Sequence, residues 1–347
     1  PKSDNNTIVN TYLDENLIEA SYPNNETIDK KKFVNISLTC ERIDALHKDM
    51  SNFPNLKSLV LDVNNFKTMK SFVHVPKIEY LSLNDNKIET LNGLEKLTSL
   101  KELSANSNMI ESPLVQIQFL TNCVDLKLSL NNKISTLEGI HKLSNLQCLH
   151  LYRCALHSLN GLQLLTNLTE LDVGRNRFTS ITNEITNCPL MQTLILYENH
   201  LEHVPEINNV LLRYLYLNGN KLTELTMNHS NIAFFAPLLD TLSLNDNAIH
   251  SLSPLRGCIN LKRLNLAFNQ ISELRELLAL SSCTNLESIK INDNPVALLP
   301  GYRELLIGLF PNLVDLDNNA IHKDERDIIE VFKFTRSQIV RRDFHKY

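Results

Sequence analysis

Cysteine and histidine are the side chains in this sequence best suited to catalysis or metal binding, and their spacing supports neither. Cys148 stands five residues before Arg153, one short of the C-x-x-x-x-x-R spacing that cradles a phosphate, and it falls in a stretch that reads as a strand rather than a loop. The closest non-adjacent histidines, His200 and His203, bracket a loop, and no metal-ligand spacing recurs among the 11 histidines. G-x-x-x-x-G-K-[ST], H-E-x-x-H, C-x-x-C and G-x-S-x-G are all missing. The chain is therefore expected to be no enzyme, with no catalytic residues, no cofactor and no metal site.

A second set of side chains suits recognition. His150, Tyr152, Arg153, Asp172, Arg175, Ile195, Tyr197, Glu198, Tyr214 and Tyr216 fall at related places about 22 residues apart. Tyrosine and arginine dominate the energetics of protein contacts, because each joins contact area to a directed hydrogen bond. Tyr152, Tyr197 and Tyr216 are expected to form a platform, with Gly174 leaving a notch between the first two. Arg263 and Phe268 form a second, separate candidate.

The elements that position these residues follow from an internal repeat. Ile78-Glu-Tyr-Leu81-Ser-Leu83-Asn-Asp-Asn86-Lys-Ile88-Glu-Thr-Leu91 has the spacing L-x-x-L-x-L-x-x-N-x-I-x-x-L. It returns from Phe33, Leu56, Ile78, Leu100, Cys123, Leu146, Leu168, Met191, Leu212, Leu239, Leu261, Leu286 and, incompletely, Leu313. The L-x-L centre alternates with period two, as a short strand with one buried face does. The asparagine turns the chain, and its amide can serve backbone groups of its own loop and the adjacent one. Stacked, these predict a ladder of Asn64, Asn86, Asn108, Asn176, Asn199, Asn220, Asn247, Asn269 and Asn294, with Cys154 standing in for one rung. Between Cys123 and Ile134 the template is off by one residue. A one-residue slip exchanges faces, so Leu130 reads equally as core or surface. Non-core strand positions face the open side of the sheet. They are small or polar in the first repeats (Ser37, Val60, Ser82, Ser104; Thr39, Asp62, Asn84, Asn106) and change character from His150 onward.

At 347 residues the chain suits a repeat array that grows without closing on one core. A net charge of -5 argues against duplex nucleic acid or an anionic membrane as partner. No apolar run approaches the roughly 18–20 residues that span a bilayer, and Pro1 to Asn6 lack a signal-peptide layout. The seven cysteines do not cluster at the ends. Cys188, Cys258 and Cys283 each precede a first core position by three residues, with Cys123 read in a similar place, so they read as buried free thiols in a reducing compartment. Ends of such an array need caps. Val9, Leu13 and Leu17 are spaced for a capping helix, followed by a loop over Tyr22 to Lys32. Tyr302 and Leu305 to Phe310 read as a helix over the last strand. Ile328, Val331, Phe332, Thr335 and Ile339 are near helical spacing, with Arg341-Arg342 late. The long ninth return, Thr226 to Leu238, predicts a local helix around Phe234-Phe235. The expected layout is a capping segment 1–32, repeats 33–293, a repeat cap 294–322 and a terminal helix 323–347.

Leu-x-Gly-Leu/Ile-x-x-Leu-x-x-Leu at Leu91 to Leu100, Leu137 to Leu146 and Leu159 to Leu168 resembles the 22-residue class of intracellular leucine-rich repeats. That class includes a regulatory subunit of protein phosphatase 1. The segment from Asn294-Pro295 to Leu316-Asp317 is similar to the cap of spliceosomal, dynein-associated, ciliary and centrosomal members. The resemblance implies an α/β fold: a horseshoe-shaped leucine-rich-repeat solenoid with a parallel concave sheet, short helical or 3-10 convex segments and helical caps at both ends. It also implies a scaffold or adaptor that holds a protein partner, a helix or globular domain, on its concave face. The chain is expected to be monomeric by itself and cytoplasmic, in cilium, centrosome or nucleus. A phosphatase regulator, or the recognition domain of an enzyme whose catalytic part lies outside this chain, are the alternatives.

Overall fold

The computed structural model describes residues 11–22, 29–182, 184–207, 209–225 and 232–330. The chain divides into two compact units, Pro1–Arg177 and Phe178–Tyr347.

In the first unit, β1 (Tyr12–Leu13) pairs in parallel with β3 (Ala45–Leu46). The main sheet is β2 (Asn35–Ser37), β4 (Ser58–Val60), β5 (Tyr80–Ser82), β6 (Glu102–Ser104), β7 (Asp125–Lys127), β8 (Cys148–His150) and β9 (Glu170–Asp172). These strands pair in chain order, all parallel. The central residue of each, from Ile36 to Leu171, is buried. Return segments are single 3-10 turns that bury one apolar residue apiece, such as Phe72, Leu94 and Ile117. The glycine of the Leu-x-Gly-Leu motif is required by geometry at Gly93. Its φ is +108°, and a Cβ there would lie 2.4 Å from the Met69 carbonyl.

The second unit carries β10 (Thr193–Ile195), β11 (Tyr214–Tyr216), β12 (Thr241–Ser243), β13 (Arg263–Asn265), β14 (Ser288–Lys290) and β15 (Asp315–Leu316), parallel and in order, ended by antiparallel β16 (Asn319–Ala320). Helix α2 (Ile232–Phe235) fills the long ninth return, burying Ile232 and leaving Phe234 in solvent. Residues 226–231 of that return lie outside the described residues.

The asparagine rungs bond as their spacing requires. Asn86 donates from Nδ2 to the carbonyls of Leu61 (3.0 Å), Leu83 (3.1 Å) and Asn84 (3.1 Å), and its Oδ1 accepts from the Phe66 N–H (3.1 Å). A backbone feature not visible in the sequence accompanies it. The residue before each rung has positive φ: Val63, Asp85, Ser107, Leu130, Arg153 and Arg175 in the first unit, and Glu198, Gly219, Asp246, Phe268 and Asp293 in the second. This left-handed step lets the N–H keep its bond to the next repeat, as from Asp85 to the Asn106 carbonyl at 3.0 Å.

The register near Leu130 is settled by this column. Leu130 has φ +62° and is exposed. Asn131 is fully buried as a true rung, donating to the carbonyls of Ala105 (3.0 Å) and Leu128 (2.8 Å) and accepting from Ile110 N–H (3.0 Å). The extra residue lies after the rung, between Asn131 and Ile134. Cys123 accordingly occupies a first core position itself, three residues before Leu126, whereas Cys188, Cys258 and Cys283 sit three residues before one.

Both caps differ in detail from their sequence reading. Helix α1 (Glu15–Ser21) starts only after Asp14, whose carboxylate accepts from the Leu17 N–H at 2.9 Å. Leu13 is therefore in a strand, and Ile18 rather than Leu17 is the buried helical residue. Val9 lies outside the described residues. At the other end α3 (Tyr302–Leu309) covers the sheet edge, with the Tyr302 hydroxyl 2.6 Å from Asp317 Oδ2. Residues 323–330 are helical, with Ile329 buried and Ile328 exposed. Arg326 anchors them by donating to the carbonyls of Ile307, Phe310 and Leu313. Val331, Phe332, Thr335, Ile339, Arg341 and Arg342 lie outside the described residues.

Candidate partner-binding face

In the first unit, adjacent strands β8 and β9 bring His150 and Asp172 into register. His150 Nε2 lies 3.7 Å from Glu170 Oε1. Tyr152 follows β8, its N–H held by Ser129 Oγ at 3.1 Å. The Arg175 guanidinium sits 5.8 Å from the Tyr152 ring centre, within cation–π range. Arg153 and Arg175 both occupy the left-handed step and are exposed, as a contact role requires. Asp172 fits that role less well. Its carboxylate accepts from the Gly174 N–H at 3.0 Å, so it ties down its own turn, and burial pushes its pKa above the usual carboxylate range.

In the second unit, β10 and β11 pair with Thr193 opposite Tyr214 and Ile195 opposite Tyr216. With Tyr197 these five side chains line a shallow open concavity of about 370 Å³. All five are half-buried, as alternation on a sheet with one free face dictates. Glu198 stands exposed at its rim in the left-handed step (φ +50°). At Gly219, the corresponding residue of the next repeat, a Cβ would lie 2.9 Å from Glu198 Cγ, so a side chain there would have to displace that of Glu198. Among the described residues neither the Tyr214 nor the Tyr216 hydroxyl has a hydrogen-bond partner. Thr193 was not among the sequence-derived candidates. The signal for it was its place two residues before Ile195, on the same strand face.

Arg263 and Phe268 do not line this concavity. Arg263 reaches Asp240 at 3.4 Å, and Phe268 is exposed in the left-handed step of its repeat. Tyr152 and Tyr197 belong to different units; within the first Tyr152 pairs with Arg175, and within the second Tyr197, Tyr214 and Tyr216 share the concavity.

The small polar residues of the early repeats do something the sequence reading did not assign. Asp62 Oδ1 accepts from Ser82 Oγ (2.6 Å) and Asn84 N–H (2.8 Å). Asn84 Oδ1 accepts from Ser104 Oγ (2.7 Å) and Asn106 N–H (2.9 Å), and Asn106 Oδ1 from Ser129 N–H (2.8 Å). They form a second ladder on the open face.

Of the cysteines Cys40 is exposed, Cys148 is half-buried and the other five are buried. All seven are free thiols, and burial pushes Cys123, Cys154 and Cys258 up to about 12 and Cys188 and Cys283 to about 11. Cys148 is likewise raised, chiefly by burial. Among the described residues no cluster of three or more His, Cys, Asp or Glu is placed to hold a metal ion. Nor is any helix among them long and apolar enough to cross a membrane.

Repeat period, parallel sheet and asparagine rungs define a leucine-rich-repeat protein. The family descriptions "Leucine-rich repeat" and "Leucine rich repeat" match residues 217–344 and residues 32–88 and 54–110, and the chain belongs to that family. It is 39% identical over 90 residues to the U2 small nuclear ribonucleoprotein A' of Schizosaccharomyces pombe, a match covering 25% of this chain and 38% of that one. It is 31% identical over 122 residues to the cilia- and flagella-associated protein 410 of Mus musculus, covering 35% and 46%. Each match thus spans less than half the length of the relative. An internalin of Listeria monocytogenes has the same fold, with a TM-score of 0.62 over 88% of each chain at 20% identity.

Proposed function

We propose that this chain is a non-enzymatic interaction module that seats a partner protein on the tyrosine floor of its second unit. The observation that carries the reading is the concavity formed by Thr193, Ile195, Tyr197, Tyr214 and Tyr216, where the Tyr214 and Tyr216 hydroxyls have no hydrogen-bond partner among the described residues. Such a floor offers rigid aromatic area plus hydrogen-bond donors, the composition of interaction hot spots. The inner strands leave no free backbone edge: β11 is bonded to β10 on one side and β12 on the other, so the partner meets side chains rather than adding a strand. The Arg175–Tyr152 pair and Arg153 extend the same chemistry in the first unit.

The leucine-rich-repeat relatives named for cilia and for a spliceosomal particle support an intracellular adaptor. A phosphatase-regulator role rests on shared repeat consensus, and no observation favours it.

The test is quantitative capture of partners from lysate by the wild-type chain and by Tyr214→Ala/Tyr216→Ala, followed by Kd measurement on the purified partner. Two hot-spot truncations are expected to weaken binding at least tenfold. Recovery of the same proteins at the same yield by a folded double variant would overturn the proposal.

A further inference from the structure

A third asparagine ladder runs along the turns that lead into the strands. Asn55, Asn122, Asn145 and Asn167 in the first unit, and Asn260, Asn285 and Asn312 in the second, each donate from Nδ2 to a carbonyl of the preceding turn at 2.7–3.1 Å. In repeats eight, nine and ten this position holds Leu190, Leu211 and Leu238 instead. These leucines are not turned inward: they are 41, 36 and 37% exposed. Beside them Val210 is 56%, Ile259 55% and Phe234 76% exposed. Three consecutive repeats thus lack this asparagine, although in repeat nine Asn209 Nδ2 still donates to the Cys188 carbonyl at 2.7 Å, and present apolar surface to water at the same edge of the second unit.

We infer that this strip is a self-association surface, and that its occupant is the same strip of a second copy of the chain. The area argues for it. The six side chains together expose on the order of 500 Å². A standard interface takes about 800 Å² from each partner, of which about 57–65% is apolar, or roughly 450–500 Å². The strip matches one partner's share.

The flanking charges argue for a two-fold arrangement. Arg213 and Asp240 stand at the same template position of repeats nine and ten, just past the leucines. Arg213 is exposed and has no carboxylate partner among the described residues. Asp240 lies 3.4 Å from Arg263 and 4.0 Å from Lys262. A two-fold axis between repeats nine and ten sets Leu211 against Leu238 of the partner subunit and Arg213 toward Asp240 of the partner subunit, the self-complementarity an isologous contact needs. The strip lies in the turns and not on the strands, so such a dimer keeps both tyrosine floors open and presents two at once. It departs from the monomer expected from the sequence.

The test is the mass of the wild-type chain by sedimentation velocity from about 1 to 100 µM, a span suited to an interface of standard size, beside Leu211→Asn/Leu238→Asn. The asparagines restore the outer ladder, with the Pro189 and Val210 carbonyls as acceptors, so the fold is retained. Phe234→Ser, at the most exposed side chain of the strip, is a second variant that leaves the repeat turns untouched. The wild type is expected to pass from monomer to dimer in this range, and both variants to dimerise at least tenfold more weakly. A wild type that stays monomeric at the highest concentration, or variants that dimerise as well as it does, would overturn the inference.

Discussion

Repeat six carries Cys154 where its neighbours carry a rung asparagine, and repeat five carries one residue too many, and the two departures compensate. In a regular repeat the rung's Oδ1 accepts an N–H from the preceding repeat, as Asn86 does from Phe66 and Asn108 from Ile88. Cys154 has no such acceptor. Its thiol makes long contacts to the Leu128 and Tyr152 carbonyls and meets the Asn131 backbone. The N–H left over belongs to Ile134, and the extra residue bends the chain so that this N–H bonds the Asn131 carbonyl at 3.0 Å. The carbonyls are also covered, Leu128 by Asn131 and Leu151 by Asn176.

Opposite outcomes follow for two reciprocal substitutions. Asn86→Cys strands the buried Phe66 N–H, at about 1–3 kcal/mol, and removes three further bonds whose carbonyls keep one donor. We expect a loss of about 2–4 kcal/mol, or a fall of about 5–15 °C in Tm for a unit of this size. Cys154→Asn gains donors but buries an Oδ1 with nothing to accept from, so the terms cancel to within about 1 kcal/mol. Thermal unfolding of the three proteins, with hydrogen exchange at Phe66 and Ile134 as the local readout, decides the matter. If Cys154→Asn stabilises by 2 kcal/mol or more, or Asn86→Cys proves silent, the compensation does not exist.

Two further outcomes are expected. Val63 is a β-branched residue at φ +58° in the left-handed step, a conformation that costs such a side chain about 1–2 kcal/mol; Val63→Asn should raise unfolding stability by about 1 kcal/mol in urea titration, and no gain would show that the step is unstrained. Asp172 has its pKa raised by burial, so the folded chain holds that proton more tightly than the unfolded one, and wild-type stability falls as pH rises through the folded pKa. Asp172→Asn keeps the acceptor for Gly174 N–H and should melt higher than wild type at pH 7, with the difference closing towards pH 4; a gap independent of pH would refute the burial argument.

Much of this architecture was legible because a solenoid writes its contacts at a fixed interval. The buried leucines, the asparagine rungs and the open-face tyrosines all follow from period and alternation. What escaped were effects of single residues on chain direction. Asp14 caps a helix and thereby converts Leu13 from helical to strand. The extra residue after Asn131 hid a rung in plain sequence. The left-handed step is occupied by Val63, Leu130, Arg153 and Phe268, types that give no hint of positive φ. The site was legible residue by residue but not as a group, because which side chains share a concavity depends on strand register. That is why Thr193 was missed.

The open-face ladder explains why the candidate site falls where it does. The position that follows each strand's second leucine can either tie repeats together or offer its side chain outward, and a short polar residue does the first. Asp62, Asn84, Asn106 and Ser129 are all engaged in this way, and in the second unit Asn245 accepts from Ser243 and Asn265. A tyrosine hydroxyl stands too far from the sheet to accept the neighbouring backbone N–H, and the last bond of the ladder is the one Tyr152 N–H donates to Ser129 Oγ. Replacing a rung by tyrosine therefore gives up an inter-repeat bond worth about 0.5–1.5 kcal/mol. The strand hydrogen bonds and leucine core hold these repeats without it. Tyr152 and Tyr197 occupy that position, and beside Tyr197 stand the hydroxyls of Tyr214 and Tyr216, which have no hydrogen-bond partner among the described residues. Cohesion and the proposed recognition draw on the same column.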